Sequence, residues 1–209
     1  SDYLNIKKFP PMNPIKLIMG ASLFSLISIG ALSVFDRNAI DLFNQFRPIF
    51  LQGGGEQCLN TLQEKGVKFR RLGDQGTESC PVLNAVLVEE FPDTINSLPF
   101  ILSCPAALSL TSWLNDEKIE SFSHMGTLNC RKMRGGSFLS EHSFGNAIDI
   151  SRIDGILIRD YWNTETIKAT RLHEVAANAC DHFSNVLTPE TNRAHHDHIH
   201  LDIGLGIGC

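Results

Sequence analysis

The chain has 209 residues, 43% of them hydrophobic and 20% charged, with a formal net charge of −5. These are ordinary globular values and exclude a largely disordered chain. The acidic balance and the lack of a basic stripe argue against nucleic acid as a partner, and an aromatic set dominated by 13 Phe offers no obvious stacking platform for bases or sugars.

The first element is apolar. Leu17 to Phe35 carries no charge. As a helix at about 1.5 Å per residue it reaches roughly 28 Å, close to the hydrocarbon thickness of a bilayer. Lys7, Lys8 and Lys16 precede it, which favours an N-terminus held in the cytoplasm. The segment reads as a signal anchor: residues 1–35 form a cytoplasmic stub and a membrane span through 17–35, with the rest at the periplasmic face of the inner membrane. A cleaved signal at Ala31-Leu32-Ser33, releasing the rest into the periplasm, is the alternative, although the apolar run exceeds a usual signal core. A buried soluble helix is the third reading.

Residues 36–55 read as a tether, closed by Gly53-Gly54-Gly55, which is expected to break any helix. The domain proper is expected from residue 56 to 209. All six cysteines, Cys58, Cys80, Cys104, Cys130, Cys180 and Cys209, follow the apolar segment. No C-x-x-C pair exists, so a zinc ribbon or thioredoxin-like site is excluded in favour of up to three disulfides in an exported domain. Spacing alone does not choose the pairing.

Within the domain, Gln57 to Lys65 reads as a helix ended by Gly66, and Val67 to Leu72 as a strand. Val82 to Phe91 reads as a second strand and Cys104 to Leu114 as a helix. Ile119 to Leu128 reads as a strand kinked near Gly126, and Arg131 to Phe138 as a loop. Ile148 to Ile153 and Gly155 to Ile158 read as strands joined by an Asp154-Gly155 turn. Thr164 to Phe183 is the longest helical pattern, with Ile167, Leu172, Val175, Ala176, Ala179 and Phe183 on one face. His198 to Ile203 is the last strand. Strands and helices do not alternate regularly, so the expected class is α+β, a small antiparallel sheet with flanking helices.

Two stretches carry the chemistry: Ser140 to Asp149, which holds an H-x6-D pair, and His195 to Asp202, which holds H-x-H. Strand alternation sends Ile199, Leu201 and Ile203 to the core and His198, His200 and Asp202 to the other face. Three polar groups there are costly unless they line a site. Asp149 sits likewise between Ile148 and Ile150, and Gly145 lets the loop bearing His142 turn sharply. A carboxylate and two neutral imidazoles suit zinc with one exchangeable position, and Asp202 is placed to orient an imidazole. A neighbouring histidine would handle the proton of the attacking water. Other motifs fail: His173-Glu174 is followed by Ala177 where a zincin needs histidine, and no nucleophile elbow supports a serine triad. His124, His173 and His182 read as structural.

Taken in order, Cys130-Arg131, Leu139 to Ile150, Ala179 to Phe183, Val186 to Pro189 and His195 to Asp202 resemble the bacterial extensin-like C-terminal family, over about residues 56–209. That family's metal motifs are similar to those of the LAS metallopeptidases: lysostaphin-type enzymes, D-Ala-D-Ala carboxypeptidases and the penicillin-insensitive murein endopeptidase. The resemblance implies a LAS/hedgehog-like fold in which His142, Asp149 and His200 bind Zn2+. It implies His198 as the catalytic base and His195 as a further active-site histidine. Arg131, with Arg134 in reserve, is the expected oxyanion-steadying cation, and Glu141 and Glu190 are weaker base candidates. The implied substrates are peptidoglycan stem peptides or cross-links, and the implied activity is amide hydrolysis. A catalytically silent, zinc-stabilised module that binds cell wall or protein is the competing reading, because hedgehog domains keep a similar site while serving as signals.

Overall fold

A computed structural model describes residues 55–206 and 208–209. The apolar segment 17–35 and nearly all of the 36–55 stretch lie outside the described residues. Among those described, no helix is long and apolar enough to cross a membrane.

The domain is mixed α+β with two sheets rather than the single small antiparallel sheet expected. Helix α1 (Gly55–Glu64) leads into the hairpin β1 (Lys68–Thr77) and β2 (Cys80–Glu90). Gly55 is the first residue of that helix. Strand β4 (Phe100–Ser103) adds to β2, giving an antiparallel sheet of order β1-β2-β4. The second sheet has six strands: β3 (Ile95–Asn96), β5 (Ser121–Gly126), β6 (Ala147–Ile153), β7 (Ile156–Leu157), β8 (Asn185–Leu187) and β9 (Ile199–Asp202). Its order is β3-β5-β6-β9-β8, with β7 beside β6, and the short β3–β5 pair is parallel. Strands β3, β4 and β8, at two to four residues each, are too short for a clear periodic signal.

Helix α2 (Cys104–Asp116) and helix α4 (Ile167–Asn178) close over a shared core, with a single-turn helix α3 (Ile158–Tyr161) between them in sequence. Leu62, Val86, Leu102, Leu110, Trp113, Ile150, Leu172, Val175, Ile199 and Leu201 are all buried in that core. The Trp113 indole N–H donates to the Val175 carbonyl at 3.0 Å, fastening α2 to α4. Ile167, expected on the buried face, is 88% exposed. It is the first residue after the Thr166 cap, whose hydroxyl accepts from the Ala169 N–H, so it precedes the turn that meets the core. The strand expected over Gly155 to Ile158 is only Ile156–Leu157, because Ile158 already begins α3.

Three disulfides pair Cys58 with Cys104, Cys80 with Cys130 and Cys180 with Cys209. They tie α1 to α2, the β1–β2 hairpin to the loop after β5, and the C-terminus to the turn before β8. Such cross-linking is characteristic of extracellular or periplasmic domains.

A buried polar chain joins the two sheets next to the functional residues. Ser103 Oγ donates to Asn146 Oδ1 at 2.8 Å, and Asn146 Nδ2 donates to Glu141 Oε2 at 3.1 Å. This engagement explains why Ser103, at the N-cap of α2, does not cap the helix with its side chain. Gly145 completes the joint at φ 64°, and a Cβ there would stand 3.1 Å from the Ser103 nitrogen. Replacing Asn146 by Leu should leave the Ser103 hydroxyl without its acceptor, at a cost of about 1–3 kcal/mol. Urea unfolding of N146L should show a lower midpoint at unchanged slope; an unaltered midpoint would refute the role.

Candidate metal centre

Strands β6 and β9 are antiparallel neighbours in which Asp149 pairs directly with His200. Directly paired residues present their side chains to the same face, so register alone brings the carboxylate and the imidazole together. His142 arrives from a 3-10 turn (Glu141–Phe144) that packs above them, rather than from an irregular loop. The three residues form a group that could hold a metal ion, and among the described residues it is the group of this kind found. His142 Nε2 lies 3.1 Å from Asp149 Oδ1 and 3.2 Å from His200 Nδ1, and His200 Nδ1 lies 2.8 Å from Asp149 Oδ1.

The outer atoms of both rings settle which nitrogens face inward. His142 Nδ1 is 3.0 Å from the Thr127 carbonyl, which can only accept, so Nδ1 carries the proton. His200 Nε2 is 2.9 Å from Asp202 Oδ2, and Asp202 is held below its ordinary carboxylate range. Burial opposes that shift, and the His200 hydrogen bond and charge, the Asn185 amide and the Gly204 N–H outweigh it. Asp202 thus accepts from His200 Nε2. In neutral rings His142 Nε2 and His200 Nδ1 are then bare lone pairs, converging with the Asp149 carboxylate in a buried pocket. Three acceptors so placed repel one another unless a cation stands among them.

Their spacing fits zinc. Bonds of about 2.0–2.1 Å at tetrahedral angles separate adjacent donors by about 3.3 Å, within a few tenths of an ångström of two of the three separations here. Without metal a proton serves instead. Burial opposes charging His200, but the hydrogen bonds and charges of Asp149 and Asp202 prevail and raise it to about 9. Asp149 is held well below the carboxylate range: burial again opposes ionisation, and its contacts with the His142 and His200 rings overcome it.

His198 and His195 stand beside this group. His198 is buried, with Nδ1 2.8 Å from Asp197 Oδ1 and Nε2 3.5 Å from Asp149 Oδ1. Asp197 is held below its ordinary range, first by that hydrogen bond, so Nδ1–H donates to it and Nε2 is left as an acceptor at the cluster. The His195 ring centroid lies 5.1 Å from that of His198 and 5.7 Å from that of His200. Its Nδ1 donates to Asn192 Oδ1 at 3.0 Å. Burial, then the neighbouring histidines, lower His195 to about 4, so it is neutral near pH 7.

The remaining candidates are placed differently. Arg131 has an exposed side chain; its backbone, through Ser143 Oγ at 3.0 Å, is what is fixed to the His142 turn. Arg134 and Glu190 are exposed, and Glu141 is buried and taken up by Asn146. His173 contacts the Trp162 carbonyl at 3.0 Å and His182 contacts Asp116 at 3.2 Å, which are packing roles. Sequence reasoning missed Asp197, Asn192, Asn185 and the Thr127 carbonyl. Asp197 carried a signal, its adjacency to His198; a backbone carbonyl carries none.

Together these features define a disulfide-linked α+β domain with a buried His-Asp-His centre that could hold a metal ion. The family model for the extensin-like protein C-terminus matches residues 56–209, and the chain belongs to that family. No curated protein and no solved structure gives a significant match.

The raised His200 has a pH consequence. A group raised in the folded state stabilises fully below its unfolded value of about 6.5 and loses that contribution as pH climbs through about 9. Chelator-treated protein should therefore melt at progressively lower temperature between these limits, while the stabilisation given by added zinc grows because metal no longer displaces a proton. Thermal scans across the window check both slopes; a flat zinc increment would contradict the tautomers above. Asp202→Asn should weaken zinc by about 10–100-fold, the usual effect of losing such an outer partner, as measured by competition with a chromophoric chelator.

Proposed function

We propose that this protein is a zinc-dependent peptidase acting on peptidoglycan stem peptides or cross-links. The observation that carries the proposal is the His198–Asp197 pair: a base with one nitrogen pinned and the other aimed at the candidate metal ligands. Zinc held by His142 Nε2, His200 Nδ1 and Asp149 would polarise the scissile carbonyl and acidify a water. His198 Nε2 takes a proton from the attacking water, the C–N bond breaks, and the same nitrogen returns the proton to the departing amine. Asp197 holds the ring's tautomer throughout and offsets the imidazolium charge. His195, neutral and with its Nε2 unengaged by Asn192, serves as a hydrogen-bond partner for substrate.

Charge supports an anionic peptide. Arg131, Lys132 and Arg134 lie on the loop that leads to the His142 turn, and Arg193 opens the turn that carries His195. All four are exposed, and among the described residues none takes part in an ion pair. On a chain of net charge −5, this local cationic rim suits the free carboxylates of stem peptides. Arg131 is the member assigned to the oxyanion. The described disulfides suit a periplasmic setting, and anchorage through residues 17–35 belongs to the same proposal.

Purified protein incubated with peptidoglycan should release peptides in a chelator-sensitive manner, seen by mass analysis of the muropeptides. His198→Ala should keep stoichiometric zinc and lose about 100-fold or more of the rate. Bound zinc with no chelator-sensitive release would instead favour a silent binding module.

A further inference from the structure

Gly126, the last residue of β5, pairs directly with Asp149 across the strand boundary. Asp149 in turn pairs with His200. The three positions form one row on one face of the sheet, and Gly126 is the member without a side chain. Glycine inside or at the end of a strand costs backbone entropy and forfeits packing, so it usually has a local reason. The register of β5 on β6 is irregular between His124 and Gly126, yet nothing in that irregularity demands that Gly126 be glycine. Its φ is not in the left-handed range, and a Cβ added to it would meet nothing within 4 Å. Among the described glycines it alone combines those two properties: the others have positive φ or a neighbour that a Cβ would touch.

The space above Gly126 also has an exit. Strand β3 pairs with β5 only at Ser121 and Phe122, so no strand flanks β5 at the level of Gly126. Thr127, the next residue, holds His142 through its carbonyl, and Leu128, one further on, is exposed. The row that starts at the candidate metal centre therefore ends at Gly126 in open space, with the exposed Leu128 two residues on.

We propose that Gly126 is a specificity-determining position, kept bare so that an extended peptide crosses β5 on its way to the metal centre and continues beyond it. An open-ended path suits a bond within a longer chain or cross-link rather than only a terminal one. This reading rests on the metal centre and deepens the peptidase proposal by fixing where substrate lies.

The test uses full-length, zinc-loaded protein and two probes that reach zinc through the same group: acetohydroxamate and an N-acetylated tripeptide hydroxamate. Binding is read by calorimetry, so no turnover is needed. The wild type should favour the peptide probe, and the series Gly126→Ala, Gly126→Val and Gly126→Leu should erode that preference in order of size. Gly126→Leu should weaken the peptide probe by about tenfold or more, on the scale of a spoiled substrate pocket. Acetohydroxamate affinity, zinc content and melting temperature should stay within error across the series. Equal binding of both probes by the wild type, parallel loss of both in Gly126→Leu, or no loss of either would each overturn the proposal. Peptidoglycan digestion run alongside separates the two readings. A size-graded hydroxamate series without digestion upholds the peptide path over Gly126 and refutes the peptidoglycan assignment; digestion undisturbed by Gly126→Leu does the reverse.

Discussion

Everything around the centre follows from one electrostatic constraint. Three acceptor atoms, His142 Nε2, His200 Nδ1 and Asp149 Oδ1, face one another across 2.8–3.2 Å in a buried space. Lone pairs at that distance need a positive charge between them. A proton on His200 meets the need in part, and a divalent cation meets it fully. The Thr127 carbonyl and the Asp202 carboxylate make the demand unavoidable, because each claims the outer N–H of one ring and prevents it from turning a donor inward. The residues beyond the ligands thus decide the chemistry as much as the ligands do.

The fold secures these positions by register and cross-linking. Antiparallel pairing of β6 with β9 sets Asp149 against His200. The Ser103–Asn146–Glu141 chain and the tight Gly145 joint hold the His142 turn over that pair. The Cys80–Cys130 disulfide fixes the start of the loop that links Thr127 to the turn. In a chain-entropy picture, closing a loop of this length is worth about 4 kcal/mol. That is comparable with the whole net stability of many domains, about 5–15 kcal/mol, and such cross-links suit an oxidising compartment.

Much of this was legible in the sequence because strand period and ligand chemistry agree. Alternation about Ile148, Ile150, Ile199 and Leu201 correctly sorted core residues from Asp149 and His200, and Asp202 was placed on the site side before its contact with His200 was visible. Long elements such as α2 and β2 were also readable. What failed had physical reasons. Strands β3, β4 and β8 span only two to four residues, so the division of the strands into two sheets was not visible. Ile167 follows the apolar spacing of α4 yet falls in its first turn, before the helix reaches the core. The tie between His198 and Asp197 depends on a loop path, which periodicity does not encode.

The central claim is that this cluster is a metal centre built from two imidazole nitrogens and one carboxylate, not a proton-sharing structural knot. Zinc-edge X-ray absorption on the purified full-length protein addresses it directly. One zinc per chain, with only nitrogen and oxygen neighbours near 2.0–2.1 Å and an imidazole pattern from two rings, is the expected spectrum. Substoichiometric zinc, sulfur neighbours, or a spectrum unchanged by His142→Ala would contradict it.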